Sequence, residues 1–264
     1  MISVKFSQEQ NPIHSHFHDN HQLIYVTRGV AQVTVNGKEY MAKAGTLVLI
    51  SRLESHEIQI KTDDYCRYTV QIDPQIVRYG DLLSETLVSV LTNRPEHFLH
   101  ILDLADQPQV QLLLEQMAEE SQKESAMKKQ MLLFLLGQLL VLCCRTYPGQ
   151  LPENTRNLKL VQQMQNYIEK HMAEKVTWEK LAEHFSMSQS YLAHLFKEVT
   201  GSSIMAYLTN YRLLMAKHYL AQTDWEISKI VEACGFSDNS NFSRSFKVVN
   251  GISPSGFRNQ YQGK

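Results

Sequence analysis

Near its C-terminus the chain reads Ile227-Ser-Lys-Ile-Val-Glu-Ala-Cys-Gly-Phe-Ser-Asp-Asn-Ser-Asn-Phe-Ser-Arg-Ser-Phe-Lys247, and this stretch decides how the rest is interpreted. Apolar residues recur at helical spacing before Cys234 and again from Phe242, which predicts two short amphipathic helices. Gly235 between them can take the positive φ that ends a helix, and Asp238 can cap the second helix. The pattern fits a helix-turn-helix, whose second helix enters the DNA major groove, and it also fits an ordinary helical hairpin.

An internal repeat favours the DNA-binding interpretation. Ser190–Gly201 and Ser240–Gly251 share the same residue at five of twelve aligned positions. A long helix is predicted between the two copies, from Met205 to Ala221. Two helix-turn-helix units joined in this way would present two recognition helices to successive turns of one duplex.

The repeated region resembles the DNA-binding domain of the AraC/XylS family of transcription regulators over about residues 158 to 261. The resemblance rests on Arg212-Leu213…Ala216 of the linker helix, Cys234-Gly-Phe-Ser237, Phe242-Ser-Arg-Ser-Phe-Lys247 and Gly251-Ile-Ser-Pro-Ser-Gly-Phe-Arg258. Val231 departs from the alanine that the family usually has there.

The candidate DNA contacts lie on the outer faces of the two recognition helices. On the second helix, the face opposite the buried stripe carries short polar side chains and one arginine, the types that read base edges and phosphates: Asn239, Ser240, Ser243 and Arg244. For the first helix the resemblance implies the matching positions, which carry less charge: Gln189, Ser190, Ala193 and His194.

Composition and charge divide the chain into two halves. The 264 residues are 43% hydrophobic and 20% charged, as in an ordinary globular protein of about two domains. Residues 1–157 hold 14 basic and 18 acidic residues and residues 158–264 hold 12 and 9, so the second half has the sign that suits DNA. No secretion signal, with charged residues followed by an apolar segment, is visible at the start of the chain. The apolar run from Met131 to Cys144 is too short to span a membrane. The four cysteines show no C-x-x-C spacing. We therefore expect a cytoplasmic protein with reduced thiols and no membrane contact.

The first 73 residues predict a small β-barrel. Short β-rich runs alternate with glycine turns, and Asn36-Gly37 is a strong signal for a two-residue hairpin. The order of strands and turns resembles the cupin-like sensing domain that precedes many AraC-type DNA-binding domains, through His16-Phe-His18, Gly29, Asn36-Gly37, Gly45 and His56. The predicted fold class is α+β, with this barrel and its following helices ahead of an all-α domain of two helix-turn-helix units.

Histidines crowd the start of the barrel. On a strand His16 and His18 would point the same way, and with His56 they could ligate a divalent metal, as in metal-binding cupins. Those proteins place a glutamate four residues after the second histidine, where this chain has the neutral Gln22. We therefore expect no metal or other cofactor and a mouth of the barrel where histidines hydrogen-bond a ligand or water. The predicted effector site comprises His16, His18, Tyr25, Arg28, His56 and Tyr68.

Helices follow the barrel, with predicted starts at Asp81, after Pro108 and at Ala126. The last is so apolar that the barrel or a second copy must cover it, and because AraC-type regulators commonly dimerise here, we expect an interface at about residues 108 to 146, including Leu139. The predicted domains are 1–147 for sensing and dimerisation, 148–157 as a proline-broken linker, and 158–264 for DNA binding.

These features predict a regulator that binds double-stranded DNA and responds to a small-molecule effector, with a carbohydrate as the candidate class. We also expect a homodimer and name RNA polymerase as a candidate partner. Two alternatives remain open at this point. One is a metal-dependent cupin enzyme fused to a DNA-binding domain, although no nucleophile and base accompany the histidines. The other is a constitutive DNA-binding activator whose barrel only dimerises.

Overall fold

The computed structural model describes residues 1–78, 83–94, 98–150 and 157–262. The chain divides into two compact units, Met1–Arg156 and Asn157–Lys264. Most of the predicted linker, residues 151–156, lies outside the described residues. The predicted fold is confirmed: the first unit is rich in antiparallel β-sheet and the second is helical.

The described residues of the first unit form nine strands in two sheets: β1 (Ile2–Ser7), β2 (Ile13–His16), β3 (His21–Arg28), β4 (Val30–Val35), β5 (Lys38–Lys43), β6 (Thr46–Ile50), β7 (His56–Ile60), β8 (Cys66–Ile72) and β9 (Ile101–Asp103). The first sheet has the order β1-β8-β3-β6-β9 and the second has the order β2-β7-β4-β5. All the pairings are antiparallel.

Alternating side chains fix which faces of the two sheets meet. Every second residue of β4 is buried, and these residues join inward-facing residues of the first sheet in one apolar core: Ile24, Val26, Ala31, Val33, Val35, Ala42, Val48, Ile50, Ile58 and Tyr65. The predicted hairpin between β4 and β5 is confirmed, because Asn36 and Gly37 have φ values of 48° and 80°. Two positive φ values are what a type I′ turn requires.

The sheet extends further along the chain than the predicted end at residue 73. Strand β9 pairs with the edge of β6 after two intervening helices, α1 (Pro74–Arg78) and α2 (Glu85–Thr92). Helix α2 begins after Ser84, whose hydroxyl accepts a hydrogen bond from the backbone N–H of Leu87. The predicted start of this helix at Asp81 lies outside the described residues.

Two longer helices, α3 (Pro108–Gln122) and α4 (Lys128–Thr146), complete the first unit. By length and composition α4 could span a membrane, with 19 residues and a mean hydropathy of 1.3. Four of its leucines pack inside the unit and are almost fully buried: Leu132, Leu136, Leu139 and Leu140. Leu139 therefore belongs to the internal core, and its expected place in a dimer interface is wrong.

The second unit contains seven helices among its described residues: α5 (Leu158–Lys170), α6 (Trp178–Phe185), α7 (Gln189–Thr200), α8 (Ile204–Gln222), α9 (Ile227–Ala233), α10 (Asn239–Asn250) and α11 (Pro254–Gln262). The predicted turn between α9 and α10 is confirmed, because Gly235 has a φ of 74°. A Cβ at Gly235 would also meet the backbone of Met172 and Ala173, so this position requires glycine for two reasons.

Candidate functional site

Helix α10 exposes the polar face that the sequence assigned to DNA. Phe242 and Phe246 are fully buried, and their rings lie 5.6 Å apart along the inner side of the helix. The opposite side carries the predicted contacts, of which Ser243 is half-buried and the others are exposed: Asn239, Ser240, Ser243 and Arg244. Asp238 caps the helix by accepting a hydrogen bond of 2.7 Å from the backbone N–H of Asn241. That bond lowers the pKa of Asp238, so the cap is charged at neutral pH.

Helix α7 repeats this arrangement with different side chains. Ser188 caps it through the backbone N–H of Tyr191, and Leu192, Leu195 and Phe196 are buried. Its predicted contacts face outward, with Ala193 half-buried and the rest exposed: Gln189, Ser190, Ala193 and His194. The structure therefore offers two capped helices, each with an apolar inner face and a small polar outer face.

Arg212 of α8 holds the two helix-turn-helix units together. Its Nε donates to the carbonyl of Met172 at 2.8 Å, and its Nη2 donates to the carbonyl of Glu174 at 2.9 Å. The guanidinium also lies 6.0 Å from the ring of Phe236, in the turn before α10. The side chain of Arg212 thus connects the loop after α5 with the turn of the second helix-turn-helix.

In the first unit the structure brings three histidines together. The antiparallel register of β2 and β7 places His16 opposite His56, with ring centroids 4.2 Å apart. The predicted strand does not continue to His18, but the ring of His18 still lies 4.9 Å from that of His56. One possible ligating atom from each of the three lies within 4.8 Å of the others. His14 is exposed, and His21 is buried against Ser51, so these two do not join the group.

The environment favours the neutral form of His18 and of His56. Burial, together with the neighbouring His16 and His18, lowers the pKa of His56 to about 3. Burial and His16 also lower the pKa of His18. A neutral imidazole has one nitrogen that donates and one that accepts, so each ring can bind a hydrogen-bond donor or a metal.

One of the three, His16, borders a cleft of about 910 Å³ on the inner face of the first sheet. Polar residues of three adjacent strands line it, among them Lys5, Gln22, Arg67, Thr69 and Gln71, together with His16. Arg67 is 4% exposed, and its guanidinium lies 5.5 Å from the centre of the Tyr65 ring. Its Nε and Nη1 have no hydrogen-bond partner in the described part of the chain. A second cleft, of about 720 Å³ near Met1 and Asp73, contains none of the predicted effector residues.

Comparison with known proteins identifies both units. The AraC-like ligand binding domain family matches residues 7–136, and a helix-turn-helix domain family matches residues 181–260. The HTH-type transcriptional activator RhaS of Enterobacter sp. (strain 638) is 31% identical over 250 residues, which cover 93% of this chain and 87% of that protein. The chain belongs to the AraC family of transcription regulators.

A second relative and a solved structure agree with this assignment. RhaS of Salmonella schwarzengrund is 29% identical over 97% of this chain and 91% of its own length. The structure of unsaturated fatty acid bound ToxT from Vibrio cholerae superposes with a TM-score of 0.68, covering 100% of this chain and 96% of ToxT. Its sequence identity of 14% supports the shared fold alone. This AraC-family protein is therefore a ligand-responsive, DNA-binding transcription regulator.

The predicted effector residues of this AraC-family regulator divide between two faces of the first sheet. His16, His18 and His56 come together beside the cleft. Tyr25 and Tyr68 are paired across β3 and β8 on the opposite face of the sheet. Burial raises the pKa of Tyr68, and the nearby carboxylates of Glu115 and Glu119 on α3 raise it further. Arg28 lies exposed at the end of β3 and donates to the sulfur of Cys66. The structure thus does not bring these three side chains into the cleft.

The sequence analysis missed the polar residues that do line the cleft. Arg67, Thr69 and Gln71 alternate with buried or half-buried residues along β8, so all three share one face. That face is continuous with the apolar core between the sheets. Polar residues at alternate positions of a strand, on the face that meets the core, are unusual. That pattern could have identified these residues from the sequence.

Proposed function

We propose that this regulator activates transcription when a small polar effector occupies the cleft beside the histidines. Both RhaS relatives are transcriptional activators, and most residues of the cleft lie within the part of the chain that matches the ligand-binding family. The observation that carries the proposal is Arg67, a buried cation whose guanidinium faces the cleft without a hydrogen-bond partner for two of its nitrogens.

The chemistry of Arg67 points to an effector with a negatively charged oxygen. A buried charge without an ionic partner costs roughly several kcal/mol, and an incoming carboxylate can offset this cost through charge-assisted hydrogen bonds. Thr69 and Gln71 line the same face and offer hydroxyl and amide groups for further polar contacts. A carbohydrate that carries an acid group combines both requirements. Of the predicted effector residues, His16, His18 and His56 remain part of the proposed site.

In the second unit, the proposal assigns double-stranded DNA to the outer faces of α7 and α10. Gln189, Ser190, Ala193 and His194 would contact one major-groove segment, and Asn239, Ser240, Ser243 and Arg244 would contact the next. Residues 1–147 then sense the effector and dimerise, residues 148–157 link the domains, and residues 158–264 bind DNA.

We further propose a homodimer formed through α3 and α4, between residues 108 and 146. The outward side of these helices exposes large apolar side chains: Leu112 is 55% exposed, Met131 49% and Phe134 60%. Covering them with the same face of a second copy would remove apolar area from water. The protein would act in the cytoplasm, contact RNA polymerase when it activates, and catalyse no reaction.

A panel of carbohydrates and their acids tests the proposed effector site. A ligand that binds the native state raises the melting temperature, so we expect a carbohydrate acid to stabilise the full-length protein. Arg67→Met should remove this response while the variant still folds, since it replaces a buried charge that has no ionic partner with an apolar side chain. Tyr68→Phe, on the opposite face of the same strand, is the matched control and should respond as the wild type does. An equal response in Arg67→Met would contradict the assignment of Arg67.

A further inference from the structure

We propose that His16, His18 and His56 bind one divalent transition-metal ion, with the side chain of Gln22 next to it. This inference goes beyond the proposed effector and does not depend on it. It differs from the expectation drawn from the sequence, where the neutral Gln22 argued against a metal.

The backbone brings the three rings together. The pairing of β2 with β7 holds His16 and His56 directly opposite each other, and His18 reaches the same point from the loop that follows β2. Their ligating atoms lie within 4.8 Å of one another. Bonds of about 2.0–2.1 Å to one tetrahedral ion place two ligand nitrogens about 3.4 Å apart, so the farthest pair would have to approach by about 1.4 Å, which side-chain rotations can provide. Among the described residues, no other group of three or more His, Cys, Asp or Glu side chains comes together in this way.

Hydrogen bonds fix the orientation of all three rings. The Nδ1 atoms of His16, His18 and His56 lie 2.9, 2.9 and 3.0 Å from backbone carbonyls of His14, Asn20 and Glu54, respectively. A carbonyl only accepts hydrogen bonds, so each Nδ1 must carry the proton. Each Nε2 then has the lone pair that a metal binds, and metal-ligating histidines almost always donate their other N–H in this manner.

The side chains of His18 and Gln22 lie next to each other, and Gln22 is only 8% exposed. Among the described residues, His18 Nε2 and Gln22 Oε1 nevertheless have no hydrogen bond of normal geometry. Buried polar atoms are nearly always hydrogen-bonded, so two adjacent acceptors without a donor beside two further imidazoles are informative. A cation bound by His18 Nε2 would satisfy that nitrogen and place a positive charge near the amide oxygen.

The ligand set selects the class of metal. Three neutral imidazoles suit zinc, iron, cobalt, nickel or copper, whereas calcium and magnesium prefer several oxygen ligands. Three histidines alone hold zinc in proteins that keep a fourth position open, so the missing glutamate does not exclude binding. Because His16 and Gln22 also line the cleft, the open position would be within reach of that space.

Metal titration of the full-length protein tests the proposal. The protein, freed of any histidine purification tag, is dialysed against a chelator and titrated with Co²⁺ and Zn²⁺, with binding followed by the visible spectrum of Co²⁺ and by calorimetry. We expect one equivalent per chain and a rise in melting temperature on Zn²⁺ binding. His18→Ala should weaken binding at least about 100-fold, as expected when a ligand is lost. His14→Ala, an exposed histidine in the same segment, is the matched control and should bind as the wild type does.

Three outcomes would overturn the proposal. The first is no saturable binding to the wild type, the second is unchanged binding to His18→Ala, and the third is an equal loss in His14→Ala. If His18→Ala proves unstable, His56→Gln provides a second test of the same ligand set, and unchanged binding to it would equally overturn the proposal. Metal-free protein should still bind DNA, because the helices proposed to contact DNA lie in the other unit. A failed metal titration therefore leaves the proposed regulatory function untouched.

Discussion

The carboxylate of Glu54 accepts hydrogen bonds from Arg94 Nε at 3.1 and 3.2 Å, and the two side chains are only 3% and 2% exposed. The same carboxylate also accepts from the backbone N–H of Ser51 and from the side chain of Asn36. The backbone carbonyl of Glu54 lies 3.0 Å from His56 Nδ1. This buried ion pair therefore anchors the turn that positions His56.

Loss of Arg94 should destabilise the first unit strongly. Arg94→Met would leave the Glu54 carboxylate buried without its ionic partner, which costs roughly 3–5 kcal/mol. Urea unfolding of the full-length protein, followed by a probe in the β-rich unit, measures this change. Lys43→Met is the matched control, because the Lys43–Asp103 pair is 65% and 52% exposed and should contribute less than about 1 kcal/mol. Equal effects of the two substitutions would show that Glu54 is satisfied without Arg94.

Two glycines with the same φ should respond differently to alanine. Gly235 and Gly251 both have a φ of 74°, so alanine at either position adopts a left-handed conformation that costs about 1–2 kcal/mol. A Cβ at Gly251 meets nothing within 4 Å, whereas one at Gly235 collides with the backbone of Met172. We expect Gly235→Ala to lower the free energy of unfolding of the second unit by clearly more than Gly251→Ala. Similar losses would mean that the loop at Met172 moves aside freely.

The two recognition helices should contribute unequally to DNA binding. Arg244 is an exposed full cation on the proposed base-facing set of α10, whereas the corresponding set on α7 includes the half-buried Ala193. Arg244→Ala should weaken binding to a selected DNA site by roughly 1–3 kcal/mol, and Ala193→Ser should change it little. Gel-shift titrations at one fixed salt concentration compare the two. An equal loss in both variants would contradict the predicted difference between the two helices.

Two apolar residues of α4 separate the dimer interface from the core. Phe134 is 60% exposed and Leu139 is fully buried. Phe134→Asp should leave the circular dichroism unchanged and convert the protein to a monomer in sedimentation. Binding to a two-site DNA would then weaken, while binding to a single site would persist, because a dimer raises the effective concentration of its second unit. Leu139→Asp should unfold the first unit, because burying an unpaired charge costs roughly several kcal/mol of folding free energy. A Phe134→Asp protein that stays dimeric would place the interface elsewhere.

The helical half could be predicted almost completely from the sequence. Its helices depend on local signals such as the caps Ser188 and Asp238 and the turn at Gly235, so they need no knowledge of distant residues. The site in the β-rich half could be predicted only in part. His16 and His56 were identified, but their contact depends on a strand pairing between residues 40 positions apart.

The errors in the β-rich half have a common physical cause. Alternation shows that Tyr68 and Arg67 face opposite ways, but it does not show which face α3 covers. The sequence analysis chose Tyr68, and the structure places Arg67 in the cleft. Strand β9 was missed for a similar reason: three residues, Ile101–Asp103, become a strand because the edge of β6 is available to them. Leu139 was misplaced because an apolar helix gives the same pattern whether its own unit or a second copy covers it.

The most direct test of the central claim is transcription from a promoter that carries DNA sites selected with the purified protein. Expression of a reporter gene is measured with and without the acid that raises the melting temperature, for the wild type and for Arg67→Met. The account predicts that the effector increases expression several-fold in cells with the wild type and has no effect with Arg67→Met, although both proteins bind the selected DNA equally well without effector. An equal increase with Arg67→Met, or no change with the wild type, would contradict the claim that a ligand in this cleft controls the regulator.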